Sequence, residues 1–144
     1  MCEDYYTEEF ALYVLMRTDM ASMTPGKSMA QACHAGGQFQ KEFGKTDNYK
    51  RWAKQANGFG TTLVMAANLD MIEALSIKGR NHRLACGVVT DSTYPIEDGD
   101  VVHLLPIVTC SYIFIDRNNE EQMSVVEDLE LLTKRYEFRD GGLK

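Results

Sequence analysis

Three prolines and one tryptophan are all the chain holds of either residue across 144 positions, and no Pro-, Gly- or Ser-rich tract, repeat or low-complexity segment breaks it up. Linkers between domains, solenoid arrays and collagen-like designs are thereby excluded. A single domain is expected over residues 1–144, with its core at about 10–137 and short tails on either side. Long hydrophobic runs are missing too. The longest, residues 10–16 and 101–108, fall far short of the roughly 20 residues a membrane span requires. No signal-peptide pattern opens the chain, so no membrane partner and a cytoplasmic address are expected. The four cysteines, Cys2, Cys33, Cys86 and Cys110, show neither CxxC nor any zinc-like spacing, which argues for reduced, mostly structural thiols and no bound metal.

Excess positive charge is also lacking, with a formal net charge of −6. A uniformly acidic chain would repel nucleic acid, whose phosphates dominate its affinity for proteins. The charge is not uniform, however. Lys27, Lys41, Lys45, Lys50, Arg51 and Lys54 face only Glu42 and Asp47 within residues 27–54, and Lys78, Arg80 and Arg83 lie in a stretch without acid. A basic side on an acidic protein is therefore available to a polyanion, against the plainer reading of solvated charged faces.

What is present is a run of alternating elements. Residues 10–16 read as a buried strand, 18–24 as a loop, and 25 to about 43 as a helix opened by Thr24 as N-cap and Pro25 at its first position. A short helix around 49–55, a strand over 61–67, a helix from Asn68 or Asp70 to about Gly79, and a strand over 84–90 follow. Residues 91–100 read as a turn-rich acidic insert, and 101–105 and 110–115 as two short apolar pieces. Asn118 or Asn119 opens a last helix carrying Val125, Val126, Leu129, Leu132 and Tyr136 on one face, with Glu130 and Lys134 paired across a turn. This order predicts an α/β fold, a three-layer α-β-α sandwich around a mixed, mainly parallel four-stranded sheet. Binding then belongs at the carboxyl ends of the strands, where the loop after the first strand meets Asp91 after the third.

Within that rim Lys27 is out of place, because the third position of a helix lies at the positive end of the macrodipole and favours an acid. At about 100° per residue, Lys27, Gln31, His34 and Gln38 fall on one stripe, and Met29, Ala32, Cys33, Gly36, Phe39 and Phe43 on the opposite one. The first stripe is expected to face outward. Beside the free N–H groups of a helix start, such donors suit a phosphate or a developing oxyanion.

Arg17-Thr18-Asp19 followed by Gly26-Lys27-Ser28-Met29-Ala30-Gln31-Ala32-Cys33-His34-Ala35 resembles the type 2 peptidyl-tRNA hydrolase family, which places an Arg-x-Asp loop before Gly-Lys-x-x-x-Gln-x-x-His-Ala. A looser similarity runs through 64–75, Val88-Val89-Thr90-Asp91 and 106–115. The resemblance implies hydrolysis of the ester joining a peptidyl group to the 3′ end of tRNA, by water and without a cofactor. Carried over, it implies Lys27 as the site cation, Asp91 as the site carboxylate, and His34 and Thr109 in the catalytic set. Arg17, Asp19, Gln31, Gln38, Thr93, Lys50 and Arg51 would contact peptidyl-tRNA, and a homodimer is possible. Which of Thr93, His103 and Thr109 faces the site stays open.

Two other readings compete. Gly26-Lys27-Ser28 after a strand echoes the end of a phosphate-binding loop, but Ala21 stands where that motif needs glycine. A non-catalytic binding module on the same fold is the other, with Trp52 among cations as a stacking surface for a base or as plain packing. Cys33 and His34 are not a nucleophile and base, because adjacent helical residues diverge.

Overall fold

A computed structural model of the chain describes residues 8–132. The chain begins with β1 (Phe10–Arg17), followed by α1 (Pro25–Phe43), α2 (Asp47–Trp52) and one kinked turn before β2 (Thr62–Ala67). Next come α3 (Leu69–Asn81), β3 (Cys86–Asp98), β4 (Val101–Asp116), α4 (Glu120–Val126) and β5 (Glu130–Leu131). The caps are those the sequence offers. Thr24, Asn68 and Asn119 each accept a backbone N–H from inside the helix they open, from Lys27, Met71 and Gln122 respectively.

β1 is buried almost throughout and feeds both faces of the sheet, since side chains alternate along a strand. Phe10, Leu12, Val14 and Met16 join Phe39 of α1, Trp52 of α2, and Tyr112 and Phe114 of β4 in one cluster. Ala11, Tyr13 and Leu15 join Ile72 of α3 and Val125 and Val126 of α4 in a second. Trp52 is packing: it is buried and donates its indole N–H to the Thr61 carbonyl at 2.7 Å.

The sheet corrects the sequence expectation in number and in pairing. It has five strands in the order β3-β4-β1-β2-β5, and only β1 with β2 is a parallel pair, the other pairings being antiparallel. The helical crossovers do make β1, β2 and β3 run the same way, as expected, but β4 returns between β3 and β1 and separates them. Residues 91–100 are not a loop. They continue β3, which pairs with β4 out to Asp98 and Val101 in a long hairpin turned at Gly99, whose φ is +60°. Pro95 is tolerated because β3 is an edge strand, where a missing N–H costs no ladder bond on its open side. The two apolar pieces are accordingly one strand, β4.

The last helix also ends early. It stops at Val126, and Glu130 and Leu131 pair antiparallel with β2, whose outer edge offers backbone partners that a further helical turn would leave unmet. Tyr136 and Lys134 lie outside the described residues. Among the described residues, no helix is long and apolar enough to cross a membrane.

Candidate active site

The carboxyl end of β1, the start of α1 and the middle of β3 converge on one rim. At its centre is a chain of hydrogen bonds through Gln31. Thr109 of β4 donates its hydroxyl to Gln31 Oε1 at 2.7 Å, and Gln31 Nε2 donates to Asp91 Oδ2 at 2.7 Å. The other carboxylate oxygen of Asp91 accepts the Thr93 backbone N–H at 2.9 Å and, more loosely, the Thr93 hydroxyl at 3.4 Å. The Thr93 N–H foremost, then the Gln31 amide, hold the Asp91 carboxyl below the usual carboxylate range against its partial burial, and the charge of His34 adds to that shift. Asp91 is thus an oriented, ionised acceptor with its remaining lone pairs toward solvent.

This network depends on a bulge. The register between β3 and β4 slips between Asp91 and Tyr94, so Ser92 and Thr93 together oppose Pro106. Proline has no N–H to offer across the ladder, and an extra residue on the facing strand bends the chain at that point. The bend turns the Thr93 amide onto Asp91.

Lys27 stands on the same rim without contacting Asp91. Its ammonium donates to the Pro95 carbonyl at 3.2 Å and lies 4.8 Å from the centre of the Tyr94 ring. Among the described residues Lys27 has no ion pair with an acid. Arg17 binds Asp19 through two bonds of 2.9 and 3.2 Å and the Val108 carbonyl at 3.0 Å. Partial burial works to raise the Asp19 pKa, but the Arg17 guanidinium and the Leu69 N–H outweigh it and leave the carboxyl below its ordinary value.

Several expectations change here. The inward face of α1 runs through Ser28, Gln31, Ala35 and Phe39, so Gln31 points into the protein, while Met29 and Cys33 point out. The reason is tertiary: the first turns of α1 lie over the polar groups of Asp91 and Thr109, and later turns cover aromatic core. Thr109 is completely buried and spends its hydroxyl on Gln31. Gln38 braces β3 through the Val88 carbonyl, two turns away from Gln31. His34 is exposed beside the network. Thr93 and Thr109 both belong to the Asp91 and Gln31 network, whereas His103 sits far out on the hairpin near Asp98. Lys50 and Arg51 are not brought to this rim. Arg51 pairs with Glu9 and lies over Phe10, at the opposite end of β1, roughly 23 Å away at the rise of a strand. Ser28, the third residue of the phosphate-loop echo, is buried and spends its hydroxyl on the Pro25 carbonyl.

Sequence reasoning missed Tyr94 and Pro95, because a segment read as a turn-rich insert gave no reason to look for partners of Lys27 there. The Cys110 thiol beneath the network is no nucleophile, since burial pushes its pKa up to about 12. Among the described residues no group of three or more His, Cys, Asp or Glu is arranged to hold a metal ion. Two cavities lie away from the rim: one of about 450 Å³ beside Phe43, Asp47 and Phe114, another of about 550 Å³ beside Tyr13, Leu63 and Val126.

A mixed sheet with a lysine at a helix start and an oriented carboxylate across from it is an arrangement that could serve hydrolysis. The sequence matches the family Peptidyl-tRNA hydrolase PTH2 over residues 10–130, and the chain belongs to that family. It is a peptidyl-tRNA hydrolase, an enzyme of translation acting on an ester bond. No match was found among curated individual proteins.

Proposed function

We propose that hydrolysis takes place at the rim between Lys27 and Asp91, and that the hydrogen-bonded chain from Thr109 through Gln31 to Asp91 is the observation that carries this assignment. A fully buried hydroxyl and an almost fully buried amide are spent on fixing one carboxylate. In the proposed mechanism Asp91 accepts a hydrogen bond from a water molecule and aims its lone pair at the ester carbonyl carbon. A carboxylate held below its ordinary range is a weak base, so its contribution is orientation. As the C–O bond to water forms, the carbonyl oxygen becomes anionic and Lys27, with the free N–H groups of the α1 start, stabilises it. Collapse breaks the ester bond, releases the peptidyl carboxylate, and returns a proton to the terminal ribose oxygen of the tRNA. His34, exposed and near enough to Asp91 for their charges to interact, takes that proton from the water as it attacks and hands it to the ribose oxygen, while the acid formed on collapse loses its own proton to solvent. Arg17 and Asp19 keep the rim in shape through each other, and Lys50 meets a tRNA phosphate away from the reacting ester.

The test is single-turnover hydrolysis of a peptidyl-tRNA. Lys27→Ala and Asp91→Asn are each expected to lower the rate by about 100-fold or more, in line with loss of an oxyanion donor or a positioned acceptor. Rates within threefold of the wild type in both would remove the site from this rim.

The reading takes the architecture as a three-layer sandwich, supported by a core cluster with helical residues on each face of the sheet. It takes the cytoplasm as the place of action, where translation supplies the substrate. It also takes the enzyme as a homodimer paired along β4. Beyond the Met16 and Cys110 pair, β4 has no strand neighbour on its β1 side among the described residues, and Val101, Val102, Leu104 and Leu105 are 43–60% exposed there. Antiparallel self-pairing centred on His103 would set Val101 against Leu105 and Val102 against Leu104 with no formal charge in the seam. Light scattering should find two copies for the wild type and one for Leu104→Lys; a monomeric wild type at 100 µM-order concentration rules the dimer out.

A further inference from the structure

We propose that Tyr94 is a positioning residue for hydrolysis, its ring serving with the Pro95 carbonyl as the seat of the Lys27 ammonium. The inference rests on the reading of Lys27 as the site cation and adds what holds that cation in place.

Tyr94 is completely buried although it lies on the part of the hairpin that projects past the body of the sheet. It is fixed at both ends. Its hydroxyl shares a hydrogen bond of 3.2 Å with Ser22 Oγ in the loop before α1 and approaches the Met23 sulfur at 4.0 Å, while its ring face meets Lys27 Nζ at 4.8 Å. Burial raises the pKa of the phenol, against the opposing hydrogen bond from Ser22, so the ring is a neutral surface. The need for such a seat follows from the helix. At the third position of α1 the ammonium sits against the positive end of the macrodipole with no acid paired to it among the described residues. An aromatic face and a carbonyl attract a cation without neutralising it. An acid in their place would bind Lys27 more tightly and cancel the charge that the oxyanion needs. A lysine ammonium has three N–H donors; Pro95 takes one, and the ring face occupies one side, which leaves donor capacity for the substrate.

The experiment combines steady-state kinetics on peptidyl-tRNA with an NMR measurement. Tyr94→Phe keeps the ring and is expected to stay within threefold of wild type in kcat. Tyr94→Leu removes it and is expected to lower kcat by about tenfold, with KM changed less than twofold, as loss of a desolvated cation–π contact implies. In a Lys27→Met background Tyr94→Leu should then cost nothing further, because its effect runs through the ammonium. A second drop of similar size in that background marks a merely structural role and overturns the proposal. The wild type alone supplies a further readout that does not depend on how the leucine variant folds. The ε-methylene protons of Lys27 should be shifted upfield by the Tyr94 ring, and positions typical of a free lysine overturn the proposal. Lys27→Met with wild-type kcat refutes the underlying assignment of Lys27, a result separable from the others because it needs no change at Tyr94.

Discussion

Gln31→Leu is the perturbation that most directly tests how the site is built. The substitution removes two bonds of 2.7 Å at a residue only 4% exposed, one from the Thr109 hydroxyl and one to Asp91. Asp91 is open to water on its other side and recovers part of its loss. Thr109 has no such recourse: it is wholly buried, and among the described residues its only other acceptor is the Cys110 sulfur at 3.9 Å. An orphaned buried hydroxyl costs about 1–3 kcal/mol and a hydrogen bond to a charged group about 1.5–3 kcal/mol, so after allowing for water at Asp91 the loss should be roughly 2–4 kcal/mol. For a domain of this size that lowers the thermal midpoint by about 6–12 °C. Thr109→Val separates the two contributions. On its own it should destabilise, by stranding Gln31 Oε1, yet added to Gln31→Leu it removes the orphan and should return about 1–2 kcal/mol. Thermal or urea unfolding of the four proteins closes the cycle. Additive losses, with a coupling below about 0.5 kcal/mol, would refute the claim that Thr109 and Gln31 act as one unit. A carboxyl titration of Asp91 by NMR supplies the functional half: losing the Gln31 amide must move its pKa upward, toward the ordinary value.

Asp19 and Asp91 both have folded-state pKa values below the ordinary range. Groups depressed in this way contribute stability that is fully present above the unfolded carboxylate pKa of about 4 and lost as pH falls through the folded value. The thermal midpoint should therefore be flat with respect to these groups from pH 7 to about 5 and decline below about 4, and Asp19→Asn should flatten that decline; an unchanged acid profile in the variant would contradict it. Pro106→Ala restores a backbone N–H opposite Ser92 and Thr93 and should let the ladder compete with the bulge. We expect kcat to fall several-fold with the fold intact by circular dichroism, and a wild-type rate would show that the bulge does not depend on this proline. Lys50→Ala, exposed and remote from the rim, should raise KM for peptidyl-tRNA without changing kcat and lessen the salt dependence of kcat/KM by about one unit of log–log slope. An unaltered slope would take Lys50 out of the tRNA footprint.

How much of this was legible in the chain differs from element to element. β1 and α1 were plain because local signals agreed: an uncharged apolar run, then Thr24 and Pro25 in their preferred positions, and the cap forms as read. Lys27 stood out for the opposite reason, as a residue at odds with its local setting, and such conflicts gather at functional sites. The sequence pattern puts Gln31 on the correct helix with the wrong surroundings. A helical projection treats polarity as exposure, and it cannot show that the first two turns of α1 lie over Thr109 and Asp91 instead of apolar core. Tertiary polar partners made an inward glutamine stable, and those partners are 60 and 78 residues away in sequence. The last helix reads too long for a similar reason, since its apolar period continues through Leu129 while the open edge of β2 draws the backbone into β5.

The hairpin is the part that local reading was least able to supply, and it decides how the acidic segment bears on the site. Gly99, two prolines and four acids between Asp91 and Pro106 satisfy every compositional sign of a loop. Their pairing becomes apparent only when residues 101–108 are laid antiparallel against 90–98, where Tyr94 meets Leu105 and Ile96 meets His103. Once paired, the segment cannot fold back over the rim. Tyr94 and Pro95 stay beside Lys27, and each further residue carries the chain outward, so Asp98 lies roughly 10 Å beyond Pro95. Glu97, Asp98 and Asp100 therefore sit toward the far end, exposed, with Asp98 near His103. A loop of the same composition could have set three carboxylates against the lysine proposed to receive negative charge from the substrate. The strand instead presents that lysine with a ring face and a carbonyl, and carries its acids out along the exposed hairpin, where at physiological ionic strength solvent screens the repulsion of Asp98 and Asp100 most and that of Glu97, about 7 Å past Pro95, least.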